Sequence, residues 1–330
     1  MPINQNMEAS ISVAKTILSV ENSVISDEFR TLCMALDKFK NLMIHEDSEL
    51  EKRYKEAKEE LEKEHSYEVE TISQKQEEAK RTASVAKANI LHSFDNVEDD
   101  EDMMNGNKLL TNVIVNSYNC GMKKIQKYTS VAKVLSQRKL DELHLWYMED
   151  TFGCEGYYSD EFFVLKRLRV NFCNSMVFSI HTTIRKHLVR ICTSLIIPET
   201  SETTNYVDIG NVEGAVPYIK TYGRVSFDEQ DETFLRELKE IRNLIAEEGG
   251  DLSNKTTDEK VKIRNMSLNV PIEQFEVHDS ETNELKKIDK CIDLNPEFIE
   301  SCLQRSESIL CKVIGQVIEN LEDAAVSANS

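Results

Sequence analysis

The chain has 330 residues, 40% of them hydrophobic, which suffices for one large domain or two smaller ones with a real core. Its formal charge is −19 and its pI is near 4.9. Because phosphate contacts require Lys and Arg, this charge excludes nucleic-acid binding by the whole surface and restricts any such site to a local basic patch. Ten Gly and five Pro are few for this length, so we expect a mainly all-α fold.

Several functional classes lack their motifs in this sequence. It contains no phosphate-binding loop, no dinucleotide-binding glycine pattern, no HExxH and no GxSxG, so we predict no cofactor. The eight cysteines form no CxxC pair and are not grouped with histidines at zinc-finger spacing, which favours reduced thiols over a metal site. We also find neither a signal-peptide pattern nor 18 consecutive uncharged apolar residues, and we therefore expect a cytoplasmic protein without a membrane partner.

Residues 1–150 are predicted to form long helices and a coiled coil. Apolar residues recur at helical spacing from Met7 to about His45, and this stretch is either one helix or two helices divided near Glu21 to Ser26. A coiled-coil seam follows at about 50–90. Its positions are Leu50, Tyr54, Ala57, Leu61, His65, Val69, Ile72, Gln76, Ala79, Ala83, Ala86 and Ile90. The Ala-rich end suits close antiparallel packing as well as a dimer, so the partner of the seam stays open.

Two details of this region have alternative interpretations. His65 lies at a stutter in the seam, which is more typical of a tolerated polar layer than of a ligand or a pH switch. The acidic segment at about 95–107 does not place ligands in the order of a calcium-binding loop, which favours a solvated linker. A further helix is expected from Lys108 to about Met148. The glycines of TFGCEGYYSD (151–160) predict a loop, and we place the domain boundary there.

The second half, 151–330, is predicted to be a helical bundle with a small β-hairpin. A long apolar stripe indicates one helix from Phe162 to Leu195. We interpret its two histidines, His181 and His187, as packing or surface residues, because a spacing of six does not place them on one face. The same helix is locally basic. Its basic residues, which we take as candidate RNA-binding residues, are Lys166, Arg167, Arg169, Arg185, Lys186 and Arg190.

The remaining elements follow from capping and turn signals. Ser226 is predicted to cap a helix that ends at Gly249, and the preceding stretch, 210–224, is predicted to be an irregular connection. Alternation with central turn residues predicts a β-hairpin over 272–289. Asn295 as cap and Pro296 at the first helical position begin the last helix.

Together, HTTIRKHLVRICTSL, PYIKTYGRVSF and LRELKEIRNLIAEEGGDL, followed by a hairpin and a closing helix, resemble the HEPN superfamily of helical domains in prokaryotic toxin and antiviral systems. The resemblance covers roughly residues 160–320. It implies a homodimer in which two Arg–Asn–His motifs face one cleft and cleave RNA without a metal. Arg242 and Asn243 match the first part of that motif.

Glu247 stands where the resemblance implies a histidine, so the motif is degenerate. The resemblance further aligns Arg185 with a position that is often acidic, which predicts an Arg185–Glu247 salt bridge. A carboxylate beside a guanidinium has a lowered pKa and is a poor acid at neutral pH. We therefore take Arg242, Asn243 and Glu247 as the candidate catalytic residues of a degenerate site, which favours a site that does not cleave RNA over an active, metal-independent endoribonuclease.

Two functions follow from these observations. The first is an RNA-directed module of the defence or toxin–antitoxin type, and it is favoured by the basic helix and the Arg242–Asn243 motif. The second is a structural protein without a nucleic-acid role, in which the coiled coil binds a protein partner or the chain dimerises. The net negative charge favours the second function.

Overall fold

The computed structural model of the chain describes residues 2–98, 108–195, 210–278 and 285–329. The fold is mainly all-α, as predicted, and the described residues form six helices and one two-stranded sheet. In chain order these elements are α1 (Pro2–Glu98), α2 (Lys108–Ser194), α3 (Val212–Tyr222), α4 (Glu229–Glu248), α5 (Thr257–Arg264), β1 (Ile272–His278), β2 (Leu285–Ile292) and α6 (Pro296–Asn329).

The chain divides into two compact units. Unit 1 comprises residues 1–46 and 164–330, and unit 2 comprises residues 47–163. The predicted division was a single boundary at residue 150. The structure differs because α1 and α2 each continue without a break through both units, so that the first part of α1 belongs to the core of the C-terminal half.

Unit 2 is an antiparallel pair of helices formed by the later part of α1 and the earlier part of α2. The ring of Tyr54 contacts Tyr158, and the ring of His65 lies 4.4 Å from that of Tyr147. Ile90 lies against Gly121. Every predicted seam position is buried or half-buried, so the seam is confirmed. Its partner, which the sequence left undecided, is α2 of the same chain.

The predicted loop at 151–160 is wrong, because these residues continue α2. Gly in a helix costs about 1 kcal/mol relative to Ala, which a favourable contact can offset. Tyr158 supplies such a contact through its packing against Tyr54. The stretch that the sequence left open as one helix or two is a single helix, because α1 continues through Glu21.

The core of unit 1 lies between α1, α2, α3, α4 and α6. Fully buried residues from these helices include Leu18, Ile184, Ile219, Leu238 and Leu310. Phe39 of α1 stacks on Phe172 of α2 at 3.8 Å. The apolar periodicity of the predicted helices therefore gives the buried faces seen in the structure.

The connections of unit 1 contain two helices that the sequence did not predict. The stretch taken as irregular forms α3, which Asn211 caps by accepting a hydrogen bond from the Gly214 amide at 2.7 Å. The polar stretch after Gly250 forms the short helix α5, with Thr256 and Glu259 as a capping box. Asp228, not Ser226, caps α4, because its carboxylate accepts from the Asp231 amide.

Other predicted boundaries are confirmed. Gly249 ends α4 in the left-handed conformation, with φ of 63°. The hairpin forms with β1 and β2 antiparallel, and it extends to Ile292. Asn295 caps α6 by accepting from the Phe298 amide at 2.8 Å. Residues 99–107, the larger part of the predicted acidic linker, lie outside the described residues. None of the described helices contains a segment both long and apolar enough to cross a membrane.

Candidate functional site

Arg242 lies on α4, on the side that faces α2. Its guanidinium carbon is 5.7 Å from the centre of the Phe178 ring, a cation–π arrangement. Its Nη1 atom donates a hydrogen bond to Asn243 Oδ1 at 2.8 Å, so the two predicted motif residues lie together. Within the part of the chain that the structure describes, no carboxylate forms a salt bridge with Arg242.

His181 of α2 lies near this guanidinium. Burial lowers the pKa of His181, and the positive charges of Arg242, Lys239 and Arg185 lower it further. The Glu213 carboxylate has the opposite effect and raises this pKa. The Nε2 atom is buried and has no hydrogen-bond partner among the residues that the structure describes. His181 is therefore largely neutral at pH 7 and carries an unused hydrogen-bonding atom beside a group of cations.

Three elements bring this group together, and we call it the Arg242 cluster. Its members are His181 and Arg185 of α2, Glu213 of α3, and Lys239, Arg242 and Asn243 of α4. Lys239 forms an ion pair with Glu213, which lowers the pKa of that carboxyl. A cavity of about 230 Å³ lies beside this pair, between α3 and α4. The cluster thus combines a guanidinium, an imidazole and an ammonium group, the groups that bind phosphate in proteins.

Glu247 does not belong to the Arg242 cluster. It follows Arg242 by five residues, which at 100° per residue turns its side chain about 140° away on the helix. Glu247 is exposed and lines a separate pocket of about 270 Å³ with Lys255 and Lys262. Those two lysines form ion pairs with Glu248 and Glu240, respectively.

The predicted Arg185–Glu247 salt bridge is wrong. Arg185 Nε donates instead to the carbonyl oxygen of Gly210 at 2.5 Å, and the two side chains form no ion pair. The physical reason is the direction of Glu247, which points away from the α2 side of α4. Asn243 lines the pocket of Glu247 as well as contacting Arg242, so it lies between the two regions.

The predicted basic face of α2 is largely neutralised within the chain. Lys166 pairs with Glu273 of β1 at 2.5 Å, Lys186 pairs with Glu28 of α1, and Arg190 lies 3.3 Å from Glu21 of α1. Arg167 and Arg169 also have interactions within the chain. The six residues therefore do not form one uninterrupted basic surface, and Arg185 is the one that belongs to the Arg242 cluster.

The sequence analysis did not assign His181, Lys239 or Glu213 to the site. Helical spacing offered a partial signal, because Phe178, His181 and Arg185 share one side of α2, as do Lys239 and Arg242 on α4. The meeting of these two stripes depends on how α2 and α4 pack. Among the described residues, no group of three or more His, Cys, Asp or Glu side chains could hold a metal ion.

Comparisons with known proteins do not assign a function to the chain. No family model matches the chain, and no curated protein or solved structure matches it. The structure itself defines a mainly α-helical protein with an antiparallel two-helix unit and a helical unit that contains the Arg242 cluster.

Proposed function

We propose that the chain binds RNA at the Arg242 cluster without cleaving it, as a HEPN-like module of a prokaryotic defence or toxin–antitoxin system in the cytoplasm. The observation that carries the proposal is the environment of Arg242. Its guanidinium is half-buried and lies on an aromatic ring, with no carboxylate partner among the described residues. An arginine held in this way is pre-oriented to donate hydrogen bonds from its planar guanidinium to the oxygens of an anion such as a phosphate.

Neighbouring groups support the same interpretation. Arg185 adds positive charge, whereas the charge of Lys239 is offset by its ion pair with Glu213. Among the described residues, the buried Nε2 atom of His181 lacks a partner. Because the whole chain carries a net charge of −19, we expect binding to be confined to this cluster and to weaken steeply with salt.

The position of Glu247 supports binding without cleavage. General acid–base catalysis requires the proton-transfer group to lie within hydrogen-bond reach of the reacting oxygen. Glu247 points about 140° away from Arg242 on α4, so the two side chains of one chain do not face the same phosphate. A histidine introduced at this position would point away as well.

The proposal is tested by fluorescence anisotropy of a labelled single-stranded RNA with the full chain in EDTA. We expect Arg242→Ala to weaken binding by roughly 10- to 100-fold, since a charge-assisted hydrogen bond contributes about 1.5–3 kcal/mol. Arg30→Ala is the matched control, because Arg30 is an exposed arginine on α1 that pairs with Asp27, outside the cluster. Gel analysis of total RNA should show no cleavage by the wild type or by Glu247→His.

The same assay has an expected pH dependence. The pKa of His181 is lowered in the free protein, so protonation occurs below its ordinary value near 6.5. Lowering the pH from about 7.5 through the lowered pKa of His181 adds a positive charge to the cluster and should tighten binding. His181→Gln should remove this pH effect.

Absence of RNA binding at low salt, or equal binding by Arg242→Ala, would contradict the proposal.

The second candidate is a structural protein without a nucleic-acid role. It is favoured by the ion pairs of Lys166, Lys186 and Arg190, which already engage acidic side chains of the chain itself. If RNA does not bind, this candidate takes the place of the first.

A further inference from the structure

In unit 2, α2 carries an exposed apolar stripe on the side opposite to α1. Tyr147 and Tyr158 face α1, whereas Leu145 points about 160° away from Tyr147 around the helix. Six large apolar residues on this outer side are 46–66% exposed. This outer stripe consists of Val131, Val134, Leu135, Leu145, Met148 and Phe152. A sustained exposed stripe of this kind marks an interaction surface.

The charges of α2 are segregated along the same stretch. Residues 108–140 contain seven Lys or Arg and no Asp or Glu, whereas residues 141–163 contain seven Asp or Glu and no Lys or Arg. Within unit 2, α2 is therefore basic before Asp141 and acidic from Asp141 to Phe163. Two copies of this helix in antiparallel orientation would place each basic stretch against an acidic one.

The apolar residues of the outer stripe are arranged symmetrically about the same point at which the charge of α2 changes sign. Val131 and Phe152 lie equally far from the midpoint between Asp141 and Glu142, and so do Leu135 and Met148. If two copies pair antiparallel about this midpoint, Lys127 of one copy would lie opposite Glu155 of the other, to within one residue along the helix. Arg138 would lie opposite Leu145, between Glu142 and Glu149 on adjacent turns.

From this coincidence we propose that the outer stripe of α2 is the interface of a homodimer, in which α2 of one chain packs antiparallel against α2 of a second copy. Both partners then use the same surface, as a two-fold axis requires. The apolar residues become buried between the chains, and the segregated charges fix the antiparallel register. The interface lies within unit 2 and does not depend on the proposed RNA site.

The length of the outer stripe indicates how strongly two copies should associate. From Lys124 to Asp160 the helix extends about 54 Å at 1.5 Å per residue. With a contact strip roughly 10 Å wide, each chain would contribute on the order of 500 Å², less than the ~800 Å² of a standard interface. We therefore expect a reversible dimer with a Kd on the order of micromolar.

Sedimentation equilibrium of the full chain between about 1 and about 500 μM tests this proposal. The wild type should show a monomer–dimer equilibrium. Phe152→Glu should raise the dissociation constant at least tenfold, because it buries a charge at each end of the apolar stripe, opposite Val131 of the second copy. Tyr67→Glu is the matched control, since Tyr67 is an equally exposed aromatic residue on α1, and it should leave the dissociation constant unchanged.

Charge exchange tests the register. Lys127→Glu alone and Glu155→Lys alone should each weaken the dimer about threefold or more, whereas the double variant should return to within about twofold of the wild type. Circular dichroism verifies that each variant keeps its helical content. A wild type that stays monomeric, or a dimer that Phe152→Glu does not weaken, overturns the proposed interface. If the double variant dimerises as weakly as the two single variants, the antiparallel register is overturned.

Discussion

At the scale of single residues, the ring of His187 lies between two carboxylates of α1. Its Nδ1 atom is 2.5 Å from Glu21 Oε1, and its Nε2 atom is 3.2 Å from Glu28 Oε2. His187 is fully buried and Glu21 is nearly so, with Arg190 as a further partner of Glu21 at 3.3 Å. The sequence predicted a packing or surface role for this histidine. It could not reveal the carboxylates, because they lie about 160 residues earlier in the chain.

We expect His187→Leu to lower the free energy of unfolding by roughly 3–5 kcal/mol, because it removes one side of a buried polar network and leaves Glu21 with fewer partners. Urea denaturation followed by circular dichroism measures this change. The control is Asp27→Asn, which removes an exposed ion pair with Arg30 and should change stability by less than about 0.5 kcal/mol. Equal effects of the two substitutions would show that His187 does not stabilise the packing of α1.

At the scale of elements, α2 shows where local sequence signals mislead. Gly153 and Gly156 predicted a loop, yet both lie within a continuous helix, and no atom outside the local helix lies within 4 Å of where a Cβ would be. Their backbone adopts the helical conformation because the apolar seam on both sides packs against α1. By contrast, the seam in α1 and the caps at Gly249 and Asn295 were predicted correctly, because those signals act over a few residues.

Gly153→Ala should raise the free energy of unfolding by about 0.5–1 kcal/mol, since alanine has the higher helix propensity and its methyl group meets open space. Thermal and urea unfolding measure this effect. Gly223→Ala is the contrasting variant, because its Cβ would lie 2.7 Å from the Ile219 carbonyl oxygen, and it should destabilise the protein. A destabilising Gly153→Ala would indicate that 151–160 is not helical.

At the scale of the whole molecule, the eight cysteines differ strongly in their surroundings. All are free thiols in the structure. Cys173, Cys192 and Cys302 are buried, whereas Cys120 is exposed. Burial raises the pKa of Cys192 and of Cys302 to about 12. Since the thiolate is the nucleophile, these thiols should be inert in the folded protein.

Iodoacetamide at about pH 8 should therefore label Cys120 first, and should label Cys192 and Cys302 only after unfolding. Peptide mass spectrometry over a time course measures the order. Labelling in concentrated guanidinium chloride is the control, and there the differences between the cysteines should largely disappear. Equal rates for Cys302 and Cys120 in the native protein would contradict the buried position of Cys302.

The sequence by itself determined the helical fold class, the seam at 50–90, the β-hairpin and the caps at Gly249 and Asn295. These features depend on residue spacing and on side chains a few positions apart. Only the tertiary structure decided that the seam pairs with α2, that His181 joins Arg242, and that Glu247 points elsewhere. The reason is that burial and ion pairing between distant segments depend on how the helices pack. Helical periodicity shows which face of a helix is buried, but it does not show which other helix packs against that face.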